Sequence, residues 1–79
     1  MNVQVLFFGA TANITGRRSH EIELPSESVA KTVFDKILIE YPRLATHRLL
    51  FSVNQQYATG NEMLSDGDEL GIFTAVSGG

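Results

Sequence analysis

Apolar and polar residues alternate from the start of the chain. Val3, Val5 and Phe7 fall on one side of an extended segment, and Gln4, Leu6 and Phe8 on the other. Gln4 marks the second side as the wetter one, so Leu6 and Phe8 are apolar residues turned away from the core. A second alternating run, His20-Glu21-Ile22-Glu23-Leu24, stops at Pro25. Between the two runs, residues 9–18 are small, polar and bounded by glycine, which predicts a hairpin loop joining antiparallel strands. After Ser28 the period becomes helical. Apolar residues recur at 29, 33 and 37 and at 30, 34, 38 and 41, with Lys31, Asp35, Lys36 and Glu40 opposite them. Ser28 is the expected N-cap and Pro42 the stop. Val33, Phe34, Ile37 and Leu38 form the predicted core stripe. Leu49 to Val53 reads as a third strand with Leu49, Phe51 and Val53 inward. Asn54-Gln55-Gln56 is a turn into a short segment near Tyr57. Ser65-Asp66-Gly67-Asp68 is a second turn, since glycine takes positive φ without a steric penalty. Glu69 to Phe73 is the last strand, with Leu70 and Ile72 on one side and Gly71 and Phe73 on the other.

The order strand, strand, helix, strand, short segment, strand predicts an α+β fold: a mixed sheet of four to five strands with one main helix across one face. Residues 1–75 make the domain, and residues 76–79 a projecting, flexible C-terminal tail. The chain has 79 residues, 43% of them hydrophobic, which suits one small globular domain. It has no cysteine to staple so small a fold, no apolar run long enough to span a membrane and no cleavable signal pattern. A cytoplasmic protein without membrane contact is the expectation. The net charge is −3, and Arg17-Arg18 is the sole basic pair. Nucleic acid is therefore disfavoured as a partner, because neutralising phosphates takes several grouped cations. Arg17-Arg18 reads as a solvated loop tip.

Catalytic patterns are missing. His20 and His47 stand in unrelated contexts with no third ligand at metal spacing. There is no cysteine nucleophile, no serine in a G-x-S-x-G setting and no phosphate-cradling glycine loop. Asp66, Asp68 and Glu69 cluster inside a turn. No metal and no bound cofactor are expected, and the chain by itself is read as non-catalytic. What stands out instead is the ending Ser77-Gly78-Gly79. At roughly 7% glycine usage, a terminal pair arises by chance in about 1 chain in 200. Without Cβ atoms, Gly78 and Gly79 can thread a narrow channel and present one carboxyl carbon to chemistry done elsewhere. That carboxylate is ionised at neutral pH and is a poor electrophile, so a partner must first activate it, for example as an acyl-adenylate made with ATP. Attack by a sulfide equivalent then gives a thiocarboxylate; attack by an amine gives an amide conjugate.

Four stretches, Val5-Leu6-Phe7-Phe8-Gly9, Val53-Asn54-Gln55, Leu64-Ser65-Asp66-Gly67-Asp68-Glu69-Leu70 and Val76-Ser77-Gly78-Gly79, resemble in order the small-subunit family of molybdopterin synthase. The resemblance implies a ubiquitin-like β-grasp fold and a sulfur carrier for molybdenum cofactor biosynthesis. It implies that Gly79 is adenylated by a ubiquitin-activating-like adenylyltransferase using ATP, converted to a thiocarboxylate, and delivered into a large subunit that holds the catalytic residues. Val76, Ser77 and Gly78 match the inserting tail. The implied assembly is a heterotetramer of two small and two large subunits. Phe8, Tyr57 and Phe73 match the family's apolar partner surface on the sheet. The chemistry alone leaves open a carrier for thiamine or cysteine synthesis, or a modifier conjugated to proteins through Gly79. The family commonly carries two prolines before the tail valine. Here Thr74 and Ala75 stand there, so a tail less stiffened toward the extended form is expected.

Overall fold

A computed structural model describes residues 1–75. The tail residues Val76, Ser77, Gly78 and Gly79 lie outside them. Five strands, β1 (Asn2–Phe7), β2 (Ser19–Glu23), β3 (Leu49–Val53), β4 (Gln56–Tyr57) and β5 (Glu69–Thr74), form one sheet in the order β2-β1-β5-β3-β4. β1 and β5 run parallel, with Val5 opposite Leu70 and Phe7 opposite Ile72; every other pairing is antiparallel. The main helix, α2 (Ala30–Glu40), covers one face. This is the mixed sheet with one main helix across one face that the element order predicted, and the β-grasp arrangement that the resemblance implied.

The alternation decides which side of each strand is dry. Val3, Val5 and Phe7 of β1 and Leu70 and Ile72 of β5 are buried, and meet Val33, Phe34 and Ile37 of α2. Leu38 of the predicted stripe is half-buried at its margin, as are Leu49, Phe51 and Val53. The Phe34 and Phe51 rings pack 4.3 Å apart across the core. The Phe7 ring meets Tyr41 edge-on at 5.5 Å, an arrangement favoured by the aromatic quadrupole.

The structure departs from local expectations in two places and adds to one in a third. Residues 9–18 are not a plain loop: they hold a short helix, α1 (Ala10–Thr15), closed by Gly16 in the left-handed conformation with its N–H on the Ala12 carbonyl at 2.9 Å. Such a short segment is not stable by itself. It is anchored by Thr11, fully buried, whose hydroxyl lies 2.6 Å from the Phe8 carbonyl oxygen and 2.9 Å from that of Ile72. Secondly, Ser28 does not cap α2. Its hydroxyl donates to the Pro25 carbonyl at 2.7 Å, and Val29 takes the N-cap position with no side-chain bond. The first helical N–H groups are satisfied from a distant loop: Ala30 donates to the Glu62 carbonyl and Lys31 to that of Gly60, both at 2.9 Å. Thirdly, Pro42 ends α2 but opens a 3₁₀ helix, Pro42–Thr46, whose Leu44 is buried.

Two of the sequence stretches prove to be one structural unit. Asn54 and Gln55 have φ of 48° and 70°, the left-handed pair of a two-residue hairpin turn between β3 and β4. Asn54 accepts from the Glu69 N–H with its side-chain oxygen and donates to Asp68 with its side-chain nitrogen, each at 3.0 Å. Asp68 also accepts from the Ser65 N–H at 2.7 Å, while Asp66 accepts from the Asn2 N–H at 2.7 Å. The acidic turn therefore fastens the starts of β1 and β5 to the β3–β4 turn.

The loop that caps α2 is itself held by a carboxylate. Glu62 accepts from the N–H groups of Thr59 at 2.7 Å and Gly60 at 2.9 Å. These bonds, led by the one from Thr59, hold its carboxyl below the ordinary value near 4.5. A pKa lowered by folding contributes stability above the unfolded value and loses it as pH falls through the folded one. Urea denaturation between pH 7 and pH 2 is thus expected to show Glu62→Gln less stable than the parent chain at neutral pH. The gap should close below the folded pKa, where both side chains are neutral; a gap independent of pH would contradict the assignment.

Candidate functional site

The face of the sheet turned away from α2 carries the other set of alternate residues. Pairing sets Leu50 opposite Phe73 and Ser52 opposite both Gly71 and Tyr57. Phe8, just past β1, donates its N–H to the Ile72 carbonyl at 3.0 Å, which brings its ring beside β5. Phe8, Ser52, Gln55, Tyr57 and Phe73 line one shallow depression of about 320 Å³. Phe8, Tyr57 and Phe73, the three residues expected to form a docking patch, are thus brought together. Tyr57 and Phe73 are in ring contact, with centroids 5.9 Å apart.

These side chains are wet where a core would be dry. Tyr57 is 74% exposed, Phe8 48% and Leu50 37%. Solitary apolar groups are common on surfaces, and Ile39 on α2 is one; contiguous aromatic rings around a depression signal a partner. Leu50 was not singled out from the sequence, although its alternation with Leu49 and Phe51 already sets it on this face.

Gly71 shapes the patch. It belongs to the wet face yet is buried, because the Phe8 ring lies across it. A Cβ at this position would come within 2.9 Å of Phe8 Cε2 and 2.5 Å of Ser52 Oγ. Only glycine lets the ring approach β5 this closely, and this requirement is invisible until β1, β3 and β5 are paired.

The depression has little chemistry of its own. Ser52 and Tyr57 supply hydroxyls, but no histidine, carboxylate or amine lines it, so no base stands ready to activate either. Among the described residues no three His, Cys, Asp or Glu gather as metal ligands. His20 instead sits 2.9 Å from the Tyr41 hydroxyl and 3.1 Å from a Glu40 carboxylate oxygen, which ties β2 to the end of α2. His47 is exposed. No described helix is long and apolar enough to cross a membrane. The arrangement suits holding another protein.

Thr74 and Ala75, which stand where the family commonly has prolines, root the tail. Thr74 ends β5 opposite Leu49, and the Ala75 N–H donates to the Arg48 carbonyl at 2.9 Å. Proline has no N–H to give, so a sheet bond here holds the backbone that a proline would stiffen.

Comparison with known proteins agrees with this architecture. The ThiS family model matches residues 5–79. The molybdopterin synthase sulfur carrier subunit of Homo sapiens is 38% identical over 82 residues, covering 98% of this chain and 93% of that protein. Among solved structures, SAMP1 from Haloferax volcanii superposes with a TM-score of 0.86 at 21% identity, over the full length of both chains. A chain of the complex of subunits 1 and 2 of molybdopterin-converting factor from Helicobacter pylori superposes with a TM-score of 0.70 at 26% identity, again over both full lengths.

Replacing Gly71 by alanine is expected to cost about 1–3 kcal/mol of unfolding free energy, because the added methyl must displace Phe8 or Ser52. Denaturation together with Phe8 ring chemical shifts checks this; unchanged stability and unchanged shifts would contradict the close approach.

Proposed function

The chain belongs to the ThiS family, and on that premise we propose that it is the sulfur carrier subunit of a molybdopterin synthase. The observation that carries the reading is the family match running through residue 79 together with 38% identity to the human sulfur carrier subunit. The Haloferax modifier, at 21% identity, shares the fold and favours no function by itself.

In this reading the chemistry is done on Gly79 by partner enzymes. An oxygen of the Gly79 carboxylate attacks the α-phosphorus of ATP on an adenylyltransferase, and pyrophosphate leaves. A sulfide-equivalent nucleophile then attacks the carbonyl carbon and AMP leaves, giving the thiocarboxylate. In the large subunit the carbon–sulfur bond breaks, sulfur passes to the pterin precursor, and water restores the carboxylate. Every step needs an unhindered last carbon, which Gly78 and Gly79 provide. Val76 and Ser77 complete the inserting tail.

The patch of Phe8, Tyr57 and Phe73 is the docking surface in this reading. β5 carries Phe73 and ends at Thr74, one residue before Ala75, so the docking face lies next to the root of the tail along the chain. The Helicobacter complex of two subunits supports a large-subunit partner, and two of each subunit would complete a heterotetramer.

Deleting Gly79 is expected to abolish pterin product in a reconstituted reaction with the large subunit, while the denaturation midpoint stays unchanged. Product formed by the deleted chain would refute the carrier role. Tyr57→Ala, at a position 74% exposed, should leave the fold intact and weaken binding to the large subunit about tenfold or more by calorimetry. Equal affinity would remove Tyr57 from the interface.

A further inference from the structure

The chain is acidic overall, yet its arginines are gathered at one end of the sheet, where Glu40 is engaged by His20. Phe7 donates its N–H to the Arg18 carbonyl at 2.9 Å, so Arg17 and Arg18 stand where β1 ends. Arg48 stands where β3 begins and accepts from the Ala75 N–H through its carbonyl. Arg43 lies on the 3₁₀ helix, which packs against α1. All four arginines of the chain thus converge on the end of the domain from which the tail leaves, and all four are exposed. Among the described residues none of them forms a salt bridge; the ion pairs are His20 with Glu40 and Lys31 with Asp35.

The opposite end is acidic. Glu23 pairs with Asn2, Glu69 with Gln4, and Asp66 accepts the Asn2 N–H. The basic end is also continuous with the apolar face, since Arg18 lines a groove with Leu6 and Phe8. Arg17 donates to the Tyr41 hydroxyl at 3.2 Å, which leaves Arg18, Arg43 and Arg48 as the freer cations.

We infer that these arginines form a basic collar at the root of the tail, and that they dock on a carboxylate-bearing rim around the opening of the large subunit that receives it. The inference rests on the carrier reading for the partner's identity. Chain length decides what the collar can touch. Four residues beyond Ala75 span at most about 14 Å when extended, so an inserted Gly79 lies far deeper than an arginine side chain at the root can reach. The collar meets protein at the mouth of the channel, not the reacting group at its end. Exposed charges of this kind act mainly on encounter: complementary fields raise the association rate, and salt screens them.

The test is stopped-flow association of the full chain with purified large subunit between about 20 and 300 mM salt, a range over which the screening length shortens severalfold. The Arg18→Ser/Arg48→Ser double variant should associate about tenfold more slowly at low salt, with a flattened salt dependence and a nearly unchanged dissociation rate. Glu23→Gln, at the far end, serves as the control and should associate as the parent does. Association rates and salt slope equal to the parent's, or a faster double variant, would overturn the collar. Pterin yield at saturating subunit concentration separates this from the carrier reading. Product with salt-independent association keeps the carrier and removes the collar. Arginine-dependent association without product keeps the collar and removes the carrier.

Discussion

Parallel pairing of the first and last strands is the constraint on which the rest of the molecule depends. Val5 lies opposite Leu70 and Phe7 opposite Ile72, joining residues about as far apart as the chain allows. Closing so long a loop is entropically unfavourable and has to be offset by burial. The offset comes from one face of β1 and β5, where Val3, Val5, Phe7, Leu70 and Ile72 meet α2. Because side chains alternate, burying that set forces Phe8, Gly71 and Phe73 onto the other face. The exposed aromatic patch is therefore produced by the same register that makes the core. A slip of one residue would destroy both together.

The same pairing positions everything needed at the tail. With β5 next to β1, the last strand leaves the sheet between the end of β1 and the start of β3. The Ala75 to Arg48 bond fastens that exit. Apolar contact, positive charge and the root of the tail then share one end of a small domain, while the acidic turn at the other end serves to hold strands.

Much of this was legible in the sequence because it follows from period. Alternation gave β1, β2, β3 and β5 and sided Phe8 and Phe73 correctly; helical spacing gave α2 and its stripe. Tyr57 came only from the family resemblance, since β4 is two residues long and carries no pattern. What escaped depends on partners distant in sequence. α1 has no apolar periodicity and is held by the contacts of Thr11 with Phe8 and Ile72. Ser28 had the right residue type for a cap, yet carbonyls of Gly60 and Glu62 took that role. The need for glycine at position 71 comes from a ring more than sixty residues away. Arg17-Arg18 read as a solvated tip because Arg43 and Arg48 join it only through the fold.

The central claim is that Gly79 is a loaded carbon presented by an inert domain. Intact mass spectrometry of the chain, after incubation with the adenylyltransferase, ATP and a sulfur donor, tests it most directly. Replacing oxygen by sulfur adds about 16 Da, a gain that oxidation of Met1 or Met63 would mimic. Treatment with an alkylating thiol reagent resolves the two, since the chain has no cysteine. The account predicts one alkylatable sulfur per chain, located at Gly79 and absent when ATP is omitted. A chain that never becomes alkylatable, or one whose carboxyl is found instead in amide linkage to lysine, would contradict it.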